Sequence, residues 1–191
     1  MARPRRFEPD AVLDAARDLF WARGYEGTSL DDITRATGVN KPSLFAAFGD
    51  KSELFHMVLD RYHAMLLAHA RLTLRADVPA RDAVRAWLMG FVPACSGAKG
   101  RRGCLSANAA VAPPTEGAAD RVASYNRAVE ALLRQVLERG RKDGEFDAAF
   151  DARATARALL AMQLGLMNLA RQQPSAGETK AAVERILALL D

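Results

Sequence analysis

Residues 28–51 read TSLDDITRATGVNKPSLFAAFGDK, and this stretch decides the fold. Thr28 and Ser29 offer N-cap hydroxyls, with Asp31 and Asp32 three residues on, close to a capping box. Leu30, Ile33 and Ala36 recur at helical spacing and are expected to face inward. Gly38 can take the positive φ that ends a helix, and Val39 can plug the turn. Asn40 can cap the next helix, with Pro42 in its first turn, where a missing N–H costs nothing. That second helix is too short and too weakly apolar to exist for packing alone. Two short helices on a tight turn, the second held outward, make a helix-turn-helix, which presents its second helix to the major groove of DNA.

Outward from this stretch, apolar residues keep helical spacing almost throughout, and no strand pattern appears. A first helix is predicted from about Pro9 to Arg23, stopped by Gly24, with Val12, Leu13, Ala16, Leu19 and Phe20 on one face. A long fourth helix begins at Asp50 or Lys51 and runs to about Arg75, with Leu54, Val58, Tyr62, Met65 and Leu66 as its inner stripe. Asp77-Val78-Pro79 breaks it. Further helices are expected over about 80–95, 104–112, 117–142, 152–172 and 177–190, with SGAKGRRG at 96–103 as a basic, glycine-rich loop. The prediction is an all-α chain of nine helices, divided into residues 1–52 and residues 53–191.

The helix ATARALLAMQLGLMNLA is apolar around nearly its whole circumference and must be buried on several sides. In so small a protein, one side packs on its own core and another on a second subunit. The last helix adds Val183, Ile186, Leu187 and Leu190, so the last two helices are expected to build a four-helix, two-fold homodimer interface.

Bulk properties narrow the class. Half of the 191 residues are apolar, enough for a packed core. No run reaches the roughly 18 apolar residues of a membrane span, and no apolar segment follows the basic MARPRRFEPD, so a cytoplasmic protein without a membrane partner is expected. Cys95 and Cys104 are too few for a disulfide scaffold and are expected as free thiols. The net charge is +4, yet residues 1–52 hold 8 Lys/Arg and 8 Asp/Glu, so the basic excess lies elsewhere. Local arrangement carries the DNA argument instead: an arm of Arg3, Arg5 and Arg6, and Lys41 and Lys51 bracketing the second short helix.

In order, the arm RPRRF, then LFWARGYEGTSLDDITRATGVNKPSLFAAFGDKSELF, resemble the N-terminal domain of TetR/AcrR-family transcriptional repressors over about residues 3–65. The remaining two-thirds are similar only in helical architecture. The resemblance implies a helix-turn-helix domain followed by a helical ligand-binding and dimerisation domain. It implies a homodimer on a double-stranded DNA operator, released by a small-molecule effector. By the same resemblance, Lys41, Pro42, Ser43 and Ala46 lie at or near base edges, and Lys51 matches a phosphate-binding lysine at a helix N-terminus. Phe45 stands where the family commonly has a tyrosine whose hydroxyl touches a phosphate, a bond Phe cannot make. Thr28 and Ser29 cap the second helix, touch a phosphate, or both. Arg3 and Arg5 resemble an arm that tracks the minor groove or backbone. Ala46 and Ala47 can meet only thymine methyls, which leaves Lys41 and Ser43 as the polar readers.

Outside this domain Cys104 stands out, in Gly103-Cys104-Leu105 after a loop holding Lys99, Arg101 and Arg102. Cations and a helix N-terminus activate a thiol, so Cys104 is a candidate sensor of electrophiles or oxidants, or a pocket residue; a small buried core residue is the plain alternative. Tyr62, His63 and Leu66 on the fourth helix are pocket candidates. Trp87, Phe91, Met162 and Met167 could line the same cavity, with Asn108, Tyr125 and Gln163 as polar anchors; each also suits ordinary helix packing. His56 and His63 lie about 10 Å apart along one helix, too far to share a metal without a third element. No Ser-His-Asp order, phosphate-cradling glycine loop, HExxH or CxxC occurs, so neither an enzyme nor a cofactor is expected.

Overall fold

The computed structural model describes residues 7–190, and all side chains among them except those of residues 98, 99 and 189. The described residues are helical, without strands. In chain order the helices are α1 (Pro9–Arg23), α2 (Leu30–Thr37), α3 (Lys41–Phe48), α4 (Lys51–Thr73), α5 (Ala80–Met89), α6 (Val92–Cys95), α7 (Gly97–Gly100), α8 (Leu105–Val111), α9 (Ala118–Lys142), α10 (Ala152–Leu169) and α11 (Ala176–Leu187). Nine of these reach seven residues or more. Short 3₁₀ turns, Ala170–Gln172 and Ala188–Leu190, extend α10 and α11.

Side chains close the helix ends locally. Ser29 and Asp32 form a full capping box on α2, and Asp50 and Glu53 form another on α4. Gly38 ends α2 at φ 69°, a left-handed conformation that a Cβ would disfavour. Asn40 Oδ1 accepts the Ser43 N–H at 2.9 Å and starts α3. Val12, Ala16 and Phe20 of α1, Ile33 of α2, and Leu44 and Phe48 of α3 close a small core against α4. The helix α9 then packs against α4, α5, α8 and α10, while α11 lies on α5 and α6.

Four expectations change. The helix expected over 80–95 stops at Met89, because Pro93 has no N–H to donate and its ring collides with the carbonyl four residues back. Gly90 follows because α4 passes there: a Cβ would sit 2.2 Å from His69 Cε1. The loop 96–103 contains the short helix α7. Ala36 points outward, and Met65 is 51% exposed rather than on the inner stripe, which runs through Leu54, Phe55, Val58, Leu59, Tyr62 and His63.

Candidate nucleic-acid interface and buried sensor cluster

The recognition candidate α3 is anchored from beneath and open above. Leu44 and Phe48 are buried, while Lys41, Pro42, Phe45 and Ala46 are exposed and Ser43 and Ala47 half-buried. Phe45 is 63% exposed. Lys41 Nζ pairs with Asp31 Oδ1 at 2.8 Å across the turn. Both groups are exposed, so the pair is worth at most about 1 kcal/mol and releases readily to a stronger anion.

Lys51 opens α4 with its Nζ 4.0 Å from the centroid of the Tyr25 ring, which aims the ammonium at the head of the helix. The Ser29 hydroxyl is exposed but fully engaged with Asp32: it donates to Oδ2 at 2.6 Å and accepts the Asp32 N–H at 3.1 Å. These bonds hold the Asp32 carboxyl down at about 2. The expectation for Thr28 is corrected. Its side chain is fully enclosed and its hydroxyl donates to the Gly24 carbonyl at 2.8 Å, so it braces the α1–α2 turn and presents nothing to a phosphate. Arg3 and Arg5 lie outside the described residues. Phe7 has its ring 6.1 Å from that of Phe48, at the end of α3.

A second cluster sits where α4 meets α8 and α9. The Tyr62 hydroxyl lies 3.7 Å from Cys104 Sγ. His63 stacks on Tyr125 at 4.6 Å and 7° between planes, and its Nε2 is 2.9 Å from the Ser106 hydroxyl. Burial pushes the His63 imidazole down to about 4. Burial, and secondarily the Cys104 sulfur, pushes both the Tyr62 and Tyr125 phenols well above their ordinary range. Cys104 itself is 3% exposed. The arginines expected to act on it turn elsewhere: Arg102 lies over the Trp21 ring and Arg101 donates to Gln173. The Lys99 side chain lies outside the described residues.

The eleven pocket candidates do not form one group; Met167 is buried against the Cys95 sulfur. Tyr62, His63, Cys104 and Tyr125 come together, and Gln163 is buried while Leu66 and Met162 are half-buried. Trp87 and Phe91 instead pack edge to face and close on His69 in the α4–α5 core, because the end of α5 at Gly90 turns them toward α4. Asn108 faces an outer cleft beside Trp21. Sequence reasoning overlooked Trp21, whose indole N–H donates to the carbonyls of Arg102 and Gly103 at 3.1 and 3.2 Å. Its ring also meets Tyr62 edge to face at 5.4 Å. The indole bonds span 81 and 82 residues of chain, so no local pattern could signal them.

A capped helix-turn-helix with an exposed second helix, carried on a helical body, defines a DNA-binding transcription regulator. The family model for bacterial regulatory proteins of the tetR family matches residues 12–58. The HTH-type transcriptional repressor ComR of Escherichia coli (strain K12) is 34% identical over 146 residues, which are 75% of this chain and 70% of ComR. The repressor BdcR of the same strain is 47% identical over 60 residues, 31% of this chain and 30% of BdcR. A cysteine mutant of the TetR family transcriptional regulator CifR, complexed with 26-bp double-strand operator DNA, aligns over the full length of both chains at 33% identity and a TM-score of 0.87. The chain belongs to the TetR family of DNA-binding transcriptional regulators, and it is not an enzyme. No helix among the described residues is long and apolar enough to cross a membrane.

Proposed function

We propose that this protein is a homodimeric repressor that leaves its operator when a small molecule or modification of Cys104 disturbs the packing behind α4. Residues 1–52 are the DNA-binding unit and residues 53–191 the effector-binding and dimerisation unit. Lys41, Pro42, Ser43, Phe45 and Ala46 face the bases, with Phe45 and Ala46 offering apolar contact to thymine methyls. Lys51 and the arm with Arg3 and Arg5 meet the backbone, and Ser29 does so by exchanging its exposed Asp32 bond for a phosphate oxygen. The two recognition helices of the dimer read half-sites about 34–36 Å apart. Repressor relatives and the operator-bound CifR support this reading.

The observation that carries it is a continuous line of contact from head to body. Trp21 of α1 touches Tyr62 of α4, Tyr62 touches Cys104, and the turn before Cys104 holds the Trp21 N–H. Arg61 of α4 adds ion pairs to Asp10 and Asp14 of α1, at 3.1 and 3.3 Å, and holds the Asp14 carboxyl below its usual range. A change at Cys104 therefore reaches α1 and α4 together. To switch the protein, an effector must bind the released state more tightly by a few kcal/mol.

Dimerisation through the last two helices is supported by what α10 leaves uncovered. Ala154, Ala158, Ala161, Gly165 and Leu169 form one exposed stripe at helical spacing. Val183 and Leu190 of the last segment are buried in the chain's own core, which leaves Ala181 and Ala188 for a partner. Small residues of this kind allow close approach of a second helix pair.

Selection of genomic fragments by the purified protein, followed by release assays with metabolites and N-ethylmaleimide, tests the proposal. Maleimide adds the Cys104 sulfur to one ring carbon and the thiol proton to the other. The wild type is expected to release its fragments on addition and Cys104→Ser to hold them. Equal release from both removes the cysteine route, and failure to select any fragment removes the operator-binding reading.

A further inference from the structure

A cleft of about 480 Å³ opens between the end of α1 and the segment from Arg101 to Pro114, a size typical of small-molecule sites. Trp21 stands between it and the buried Tyr62–Cys104 cluster. Its aromatic wall comes from Phe20, Trp21, Tyr25 and Phe55, and Leu105, Ala109 and Pro114 face them. Arg101, Arg102 and Arg171 also line it, and no acidic residue does.

The charges in the cleft are poorly matched by the protein. Among the described residues, Arg102 has a single distant carboxylate, Asp18 at 3.9 Å. Arg101 donates to the Gln173 amide at 3.3 Å and Arg171 to the Asn108 amide at 2.6 Å, and among the described residues neither has a carboxylate partner. The backbone there is also unusual. Gln173 is the one non-glycine residue with positive φ among those described, at 56°, and it follows directly on the turn that carries Arg171.

We propose that this cleft binds a planar aromatic carboxylate. The ring would enter between Trp21 and Pro114, displacing the Arg102 guanidinium that lies over the indole, and the carboxylate would accept forked N–H bonds from Arg101 and Arg171, the geometry a guanidinium matches best. The flat apolar walls favour an aryl acid over a free inorganic anion. Because Trp21 is both a wall of the cleft and the bond that ties α1 to the turn at Gly103, occupation alters how the head sits on the body. That last step rests on the operator-binding reading above; the binding site does not.

Calorimetric titration of the full chain with trans-cinnamate, 2-naphthoate and benzoate, and with cinnamamide as the uncharged control, tests the site. At least one of the acids is expected to bind, and cinnamamide at least about tenfold more weakly than cinnamate. Arg101→Gln/Arg171→Gln is expected to lose about tenfold or more in acid affinity while keeping the wild-type melting temperature. Both arginines are exposed, so folding should survive. No binding of any acid, equal binding of acid and amide, or an unchanged double variant overturns the proposal. So does a double variant that loses DNA affinity in the absence of any acid, since the cleft would then be a phosphate contact. With the acid saturating, affinity for the selected DNA fragments is expected to shift at least threefold; an unchanged affinity removes the coupling through Trp21. If the unliganded protein selects no DNA at all, operator binding fails while the calorimetry still decides the site.

Discussion

At His63 a single ring fixes how the body responds to acid. It is buried, stacked on Tyr125 and bonded to Ser106, and its pKa sits at about 4. The unfolded chain, with an ordinary imidazole near 6.5, takes the proton more readily. Stability from this group is therefore complete above about pH 6.5 and declines as the pH falls toward 4. Between pH 7 and pH 5 the loss is expected to be about 2 kcal/mol, read as a lower urea midpoint. His63→Gln keeps a polar partner for Ser106 and removes the proton site, so its pH dependence should be flatter; an unchanged slope would assign the acid sensitivity elsewhere. Lys51 is the matching residue in the head. Lys51→Ala is expected to weaken binding to all duplexes alike and reduce the slope of log affinity against log salt by about 1. A sequence-selective loss would make Lys51 a base reader.

Among the elements, α1 is tied to the turn before α8 by the Trp21 indole. Cys104 is buried directly behind Gly103, whose carbonyl accepts the Trp21 N–H. Labelling of Cys104 requires that turn to lift, a local opening of low free energy. Trp21→Phe removes the N–H and keeps most of the ring, so maleimide labelling of Cys104 is expected to quicken several-fold. Cys95 serves as the internal control: burial pushes its thiol up to about 11, and it lies 3.1 Å from the Met167 sulfur. Its labelling should stay slow in both proteins, and an unchanged Cys104 rate would show that the Trp21 bond does not guard the turn. The helix-turn-helix was legible at this scale because its signals are local: Ser29, Gly38, Asn40 and Pro42 each act within four residues of where they stand. Thr28 was misjudged because its neighbour Ser29 is an equally good cap, and only burial shows which hydroxyl remains outside.

For the whole molecule, the exposed stripe of α10 is where the proposed homodimer would close. Ala161 is solvent-facing in the chain, so Ala161→Glu should not disturb its own fold. In a dimer it would bury a charge without a partner. The expected result is a monomer by light scattering, with affinity for a two-half-site operator reduced about tenfold or more through loss of bivalency. A dimer that persists would place the interface off this stripe.

Alternation of caps, breakers and apolar faces is written in neighbouring residues, so the sequence by itself determined the all-helical class, the helix-turn-helix and the outward face of α3. Only the tertiary structure decided which distant groups meet. It joined Tyr62, His63, Cys104 and Tyr125, sent Trp87 and Phe91 into the α5 core, and set Trp21 against the turn at Gly103. Helical periodicity states which face of a helix is apolar. The angle and depth at which that face meets another helix depend on side chains far along the chain, as where Gly90 lets α5 close on His69.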